Sequence, residues 1–302
     1  MLNGILKMAV SKVKVGRLKR VFLLNVNRLR RHYYPYLRRK TPLFSHINIQ
    51  TTSYCTRRCS FCALGDPARA RIKHKMDEGL FRKIIDDLEG LDYSGRVSLF
   101  EINEPLSDER ICAFVGYVKK KLPKAFQFLN TNGDLLTLEL LDGLFTNGLD
   151  HLIMSCYDDR VLQKSKELVA RRRYYCTVQD KGKDQFFFHD NRGGHVKGLF
   201  MLRPVVNMFC ERVYKQLYIK PDGKVVSCVA DHDDVNYMGN VGDSSVKDIW
   251  FSEKFEEIRE KLRRGDRAFS PLCVNCNYAG EGGIYRVPKL RRLLKRIGCQ
   301  SR

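Results

Sequence analysis

From residue 46 to residue 155 the chain switches repeatedly between two hydrophobic periods. Ile47-Asn-Ile-Gln-Thr-Thr, Arg96-Val-Ser-Leu-Phe-Glu-Ile, Phe126-Gln-Phe-Leu-Asn and Leu152-Ile-Met-Ser155 are short, β-rich runs that predict strands. Stretches with helical spacing separate them. Asp77 precedes Leu80, Phe81, Ile84, Ile85 and Leu88, and Ser107-Asp-Glu precedes Ile111, Phe114, Val115 and Val118. Thr137 opens Leu138 to Phe145, which Asn147-Gly148 closes. Asp, Ser and Thr suit these openings because a short side-chain oxygen can take up a first-turn N–H. Strand and helix in alternation predict an α/β fold with a parallel sheet, namely a full or partial (β/α) TIM-like barrel with active groups at the carboxyl ends of its strands.

The pattern changes in the last third. Gln216-Leu-Tyr-Ile-Lys-Pro221-Asp222-Gly223-Lys-Val-Val-Ser predicts a hairpin with a Pro-Asp-Gly turn. Met238-Gly239-Asn240-Val-Gly242 follows, then Ser245-Val-Lys-Asp-Ile-Trp250 and an amphipathic segment bearing Phe255, Ile258 and Leu262. This implies a small C-terminal α+β module. The expected divisions are a basic extension over 1–44, the barrel over 45–200, the module over 201–285 and a basic tail over 286–302.

Eleven cysteines give both parts a chemistry. Cys55, Cys59 and Cys62 lie in one loop directly after the first predicted strand, with no fourth cysteine nearby. Three thiolates can hold three corners of an iron–sulfur cube and leave one iron open. A zinc site or three separate packing cysteines are the alternatives, although structural zinc takes four ligands and the nearest histidine, His74, is a dozen residues away. Cys210, Cys228, Cys273 and Cys276 form a second set that ends in C-x-x-C, and its spacing suits either zinc or a second cube. Cys112, Cys156 and Cys176 fall in apolar surroundings as packing residues, and Cys299 lies in the tail.

The C-x3-C-x-aromatic-C loop resembles that of the radical S-adenosylmethionine superfamily. The resemblance implies a [4Fe-4S] cluster whose open iron binds S-adenosyl-L-methionine, with reductive cleavage to a 5′-deoxyadenosyl radical. It also implies cofactor contacts at Phe61 in the loop, Glu104, Thr131, Asn132 and Ser155. Asn103-Glu104-Pro105 resembles the family's Gly-Gly-Glu-Pro segment, with Ile102 and Asn103 in place of the two glycines. Glu104 keeps the carboxylate that would meet the methionine ammonium. Thr131-Asn132-Gly133 resembles the Thr-Asn-Gly turn beneath the cofactor, and Ser155 falls where the ribose is often contacted. The hairpin, Gly-Asn, Ile-Trp helix and cysteine pair resemble the twitch module, a shortened SPASM domain, whose single auxiliary [4Fe-4S] cluster matches the four available cysteines.

That resemblance implies an oxidoreductase of dehydrogenase type acting on a hydroxyl of a sugar or aminocyclitol. The auxiliary cluster would take the electron, and a flavodoxin- or ferredoxin-like protein would supply the reducing equivalent for cofactor cleavage. Asp190-Asn191-Arg192-Gly193-Gly194 resembles a segment that precedes the twitch module, which makes Arg192 the candidate catalytic residue through its fork of donors toward a substrate hydroxyl. A peptide maturase acting on a ribosomal precursor is the competing enzyme class. A zinc-containing nucleic-acid-binding protein is the non-enzyme alternative.

Composition narrows the partners. The formal charge of +21 resembles a nucleic-acid signature only until it is located. Residues 1–40 hold twelve Lys/Arg and residues 286–302 hold seven, with no acids in either, which leaves the body near neutrality. No specific nucleic acid is therefore expected. The ends are amphipathic as well as basic: Leu18, Phe22, Leu23, Val26 and Leu29 in one, Leu290, Leu293, Leu294 and Ile297 in the other. Such segments can rest on an anionic membrane surface, and no apolar run is long enough to span one. Abundant cysteine without a secretory signal points to a cytoplasmic protein, peripheral to the membrane at most.

Overall fold

The computed structural model describes residues 41–68, 74–182, 191–195 and 209–278. The basic ends, and with them the expected membrane contact, lie outside the described residues.

The predicted alternation is present as β1 His46–Ile49, α1 Glu78–Glu89, β2 Arg96–Ser98, α2 Ile111–Lys121, β3 Phe126–Thr131, α3 Leu138–Thr146 and β4 His151–Cys156. It continues through α4 Asp159–Ala170 and β5 Cys176–Asp180. After residue 209 come α5 Arg212–Lys215, β6 Gln216–Ile219, β7 Lys224–Val226, β8 Tyr237–Asn240, α6 Val246–Trp250, α7 Glu253–Arg264 and α8 Pro271–Val274. Side-chain caps start the helices where the sequence places them: Asp77 Oδ1 accepts from the Leu80 N–H at 3.0 Å and Thr137 Oγ1 from the Leu140 N–H at 3.1 Å. One expected opening differs. α2 begins at Ile111 rather than at Ser107, because Pro105–Ser107 forms a separate 3-10 turn and buried Asp108 is engaged by the Arg110 guanidinium at 2.9 Å. β2 is also shorter than its apolar run, since the chain bends after Ser98.

Among the described residues the eight strands form one sheet in the order β5-β4-β3-β2-β1-β6-β7-β8. The pairings from β5 through β6 are parallel and those of β6 with β7 and β7 with β8 antiparallel. β1 therefore lies between β2 and β6, two strands more than a hundred residues apart in sequence. Alternation along the strands separates the two faces. Ile47, Ile49, Val97, Leu129, Leu152 and Met154 are buried in the core shared with the helices, where Phe81 of α1 stacks on Phe114 of α2 at 4.0 Å. The opposite face carries Asn48, Ser98, Phe128, Asn130, Ser155 and Tyr218, a largely polar set.

Trp250 fastens the C-terminal helices to this sheet. Its ring is fully buried between Phe44 at 5.2 Å and Phe255 at 5.0 Å, with the Arg259 guanidinium 4.1 Å from its centre, and its Nε1–H donates to the Pro42 carbonyl at 2.9 Å. Trp250→Ala is expected to destabilise the protein by about 3–5 kcal/mol through cavity formation, measured by denaturant unfolding.

Candidate active site

β1 ends in the three-cysteine loop. Cys62 N–H donates to the Cys59 carbonyl at 3.0 Å and Gly65 N–H to the Cys62 carbonyl at 2.9 Å, coiling the chain into the 3-10 turn Ala63–Gly65. A Cβ at Gly65 would lie 2.5 Å from the Cys59 carbonyl oxygen, so the close turn requires glycine there. Arg57 ties the loop to the rest of the sheet. Its guanidinium pairs with Asp134 beyond β3 and with Asp158, the cap of α4, at 2.5 Å. Thr56 Oγ1 donates to Asp134 at 2.8 Å and accepts from Asn132 Nδ2 at 2.9 Å, and that same amide lies 3.7 Å from Cys55 Sγ. Phe61 packs against Tyr157, ring centres 5.4 Å apart.

Glu104 is the centre of the adjoining network and is 1% exposed. Its Oε1 accepts from Thr131 Oγ1 at 2.6 Å and from the Leu106 N–H at 3.1 Å, and its Oε2 accepts from the Asn132 N–H at 2.8 Å. A carboxylate has about four acceptor positions, so three are occupied by the protein and one remains for a ligand. The Glu104 N–H itself donates to the Tyr54 carbonyl at 2.9 Å, beside the cysteine loop. The turn that follows Thr131 needs φ +81 at Gly133, where a Cβ would approach Val161 to 2.9 Å. Ser155 Oγ donates to Asn130 Oδ1 at 3.1 Å on the polar face. Thus Cys55, Thr131, Asn132 and Glu104 form one connected unit. Phe61 sits beside that unit on the loop, whereas Ser155 is anchored to the neighbouring strand.

The second cysteine set also converges. Cys210, Cys228, Cys273 and Cys276 line a common cavity with Arg212 and Arg267, which are 9% and 4% exposed. Arg212 Nη1 donates to Cys228 Sγ at 3.6 Å and its guanidinium stacks 3.6 Å from the centre of Tyr278. Asn191 docks the preceding segment onto this site: its N–H donates to Asn277 Oδ1 at 2.9 Å, its Nδ2 to the Asn275 carbonyl at 2.7 Å, and its Oδ1 accepts from the Asn277 N–H at 3.2 Å. The backbone of Arg192–Gly194 is thereby held beside the Cys273–Cys276 pair, while the Arg192 side chain lies outside the described residues.

Burial pushes the thiols of Cys55, Cys59, Cys210, Cys228 and Cys273 upward, Cys59 to about 11. Buried thiolates therefore need positive charge. A bound iron–sulfur cluster would supply it in either place, and Arg212 and Arg267 supply part of it at the second. No disulfide joins the described cysteines. Among the described residues no three His, Cys, Asp or Glu side chains gather around a single metal-ion position. Asp134, Asp158, Arg212 and Arg267 had no role in the sequence expectation. A basic residue two positions after Cys210 was the one local signal, since the others meet the site only through the fold.

The SPASM family, an iron–sulfur cluster-binding domain, matches residues 210–277, which contain all four cysteines of the second set. The S-adenosyl-L-methionine-dependent 2-deoxy-scyllo-inosamine dehydrogenase of Niallia circulans is 30% identical over 242 residues, covering 78% of this chain and 93% of the relative. The crystal structure of BtrN in complex with AdoMet and 2-DOIA matches with a TM-score of 0.68 at 28% identity, covering 79% of this chain and 95% of that one. The structure of native anSMEcpe with bound AdoMet, 12% identical with a TM-score of 0.54 over 84% of this chain and 100% of that one, shares the fold.

Gly65→Ala is expected to lower the iron content of reconstituted protein by about four atoms per chain and leave the second cluster in place, as iron and sulfide analysis would show. Burial also pushes the Glu104 carboxyl up to about 7. Between an ordinary carboxyl value near 4.5 and about 7, the folded cofactor-free protein holds a proton that the unfolded chain has released. Stability should therefore fall as pH rises through that window, and Glu104→Gln should remove this part of the fall in urea titrations at successive pH values.

Proposed function

The chain belongs to the radical S-adenosylmethionine oxidoreductases that carry a SPASM-type iron–sulfur domain, and from that premise we propose that it oxidises a hydroxyl of an aminocyclitol or related sugar to the ketone. Its cofactors are S-adenosylmethionine and [4Fe-4S] clusters. We assign the first cluster to Cys55, Cys59 and Cys62, and the auxiliary cluster to Cys210, Cys228, Cys273 and Cys276. The observation that carries the reading is the coverage of the inosamine dehydrogenase. Similarity extends over 93% of that protein, and the BtrN structure covers 79% of this chain. Peptide modification has weaker support, because the likeness to anSMEcpe is one of fold.

When bound, the first cluster and S-adenosylmethionine supply a hydrogen-abstracting 5′-deoxyadenosyl radical. The protein's part is placement. Glu104 offers its remaining acceptor position to the methionine ammonium while its other bonds hold Thr131 and Asn132 in line. Asn132 links that position to Cys55, and Arg57 braces the loop against Asp134 and Asp158. Phe61 and Ser155 complete the cofactor contacts in this reading. The polar sheet face of Asn48, Ser98 and Asn130 suits a polyhydroxylated substrate better than an apolar one. Arg192, whose backbone is docked at the auxiliary site, orients the hydroxyl to be oxidised. Cys210, Cys228, Cys273 and Cys276 would hold the auxiliary cluster as an acceptor for the substrate's second electron, and the Arg212 hydrogen bond to Cys228 would raise its potential. A flavodoxin- or ferredoxin-like protein would serve as the electron donor to the cluster that Cys55, Cys59 and Cys62 would hold. Among the described residues no helix is long and apolar enough to cross a membrane. The basic ends are proposed to touch an anionic surface peripherally.

Anaerobically reconstituted protein incubated with reductant, S-adenosylmethionine and 2-deoxy-scyllo-inosamine should yield 5′-deoxyadenosine and a ketone in roughly equal amounts. Mass spectrometry reads both products. Formation of 5′-deoxyadenosine with no ketone from this compound or from a panel of amino sugars would overturn the proposed substrate class.

A further inference from the structure

Glu101 lies just beyond β2, at the carboxyl end of the parallel strands. Its N–H is pinned by Asn103 Oδ1 at 2.9 Å, so the backbone there is fixed. Its Oε2 atom is buried and, among the described residues, accepts no hydrogen bond. Leaving a buried polar atom without a partner costs free energy, and such atoms persist where a ligand completes them. Glu104, three residues on, performs all of the bracing of Thr131 and Asn132, which leaves Glu101 with no part in that network.

The surroundings of Glu101 connect both metal sites. Lys220, at the end of β6, acts electrostatically on the Glu101 carboxyl, as do Asp231 and Asp234. Because the sheet order is β2-β1-β6, Glu101 and Lys220 flank the end of β1, from which the first cysteine loop departs. Tyr218 on β6 is within electrostatic reach of Glu101 on one side and of Arg212, Cys228 and Tyr278 on the other. Those last three residues line the cavity of the second cysteine set. Lys220 is already engaged, pairing with Asp234 and donating to the His232 carbonyl at 3.1 Å. Burial outweighs its attraction and pushes the Glu101 carboxyl up to about 8. A carboxyl in that range exchanges protons near neutral pH, the property that a general base needs.

We propose that Glu101 contacts the substrate between the two clusters and accepts the proton of the carbinol hydroxyl as it is oxidised. The proposal rests on the alcohol-oxidation reading above. In the balanced step the carbinol C–H hydrogen goes to the 5′-deoxyadenosyl carbon. The O–H bond then breaks with its proton passing to the Glu101 carboxylate, one electron passes to the oxidised auxiliary cluster, and the carbonyl π bond forms. Arg192 cannot take that proton, since a guanidinium is always protonated, and its proposed part is to orient the hydroxyl.

The test compares full-length wild type, Glu101→Gln and Glu101→Asp, each with both clusters reconstituted, using perdeuterated 2-deoxy-scyllo-inosamine. The Gln variant should keep its iron content and still move deuterium from substrate into 5′-deoxyadenosine. Its ketone yield per 5′-deoxyadenosine should fall by at least about 10²-fold, and Asp should restore part of it. In the wild type, ketone formation should rise with pH through about 8, the value to which burial, aided by Asp231 and Asp234 and opposed by Lys220, brings this group, and the Gln variant should lack that rise. Wild-type ketone yield and an unchanged pH profile in the Gln variant would overturn the role of Glu101 and leave alcohol oxidation standing. Loss of iron in both variants would make Glu101 a structural residue and also overturn the proposal. Cofactor cleavage without ketone in the wild type would overturn the substrate reading, and the role of Glu101 with it.

Discussion

The hydrogen bonds of β1 to its two neighbours hold the molecule's two chemistries in register. His46–Asn48 pair with β2 on one side and His46–Ile49 with β6 on the other, and the three-cysteine loop follows from their end. β6 begins six residues after Cys210 and leads through the hairpin to Cys228. A slip of one residue in either pairing would turn every side chain of that strand to the opposite face. Ile47 and Ile49 prevent it, because both are wholly buried in the helix-covered core and have no acceptable place on the polar face. The relative position of the two cysteine sites is thus set by hydrophobic burial on the side of the sheet that takes no part in the chemistry.

Charge is handled differently at the two sites. Around Cys55 the nearby acids, Asp134 and Asp158, share the single guanidinium of Arg57, which braces the loop and leaves the trio with one net negative charge. Around Cys228 the buried charges are themselves cationic, Arg212 and Arg267. The first arrangement suits a cofactor of net positive charge, as S-adenosylmethionine is. The second sets positive charge beside four buried thiols and so lowers the cost of ionising them.

Much of this was legible in the sequence wherever the signal was local. The caps at Asp77 and Thr137 and the hairpin turn depend on residues a few positions apart, and the structure contains each of them. α4 and β5 were not legible, because Arg171-Arg172-Arg173-Tyr-Tyr interrupts the apolar rhythm and every residue of β5 is only half-buried. The pairing of β6 with β1 could not be seen either, since a hairpin signal names β7 as a partner and is silent about a strand 170 residues earlier. Glu104 was readable as a cofactor carboxylate, but not as the brace of Thr131 and Asn132, which needed the geometry of three strand ends.

The mutual amide bonds of Asn191 and Asn277 have a mechanical consequence. Each side chain reads the other's backbone, as two rungs of a ladder would, although neither segment is a strand. The backbone of residues 191–194 is thereby tied to the C-x-x-C turn by contacts that do not pass through the sheet, so a shift of the turn would reach the backbone of Arg192 directly.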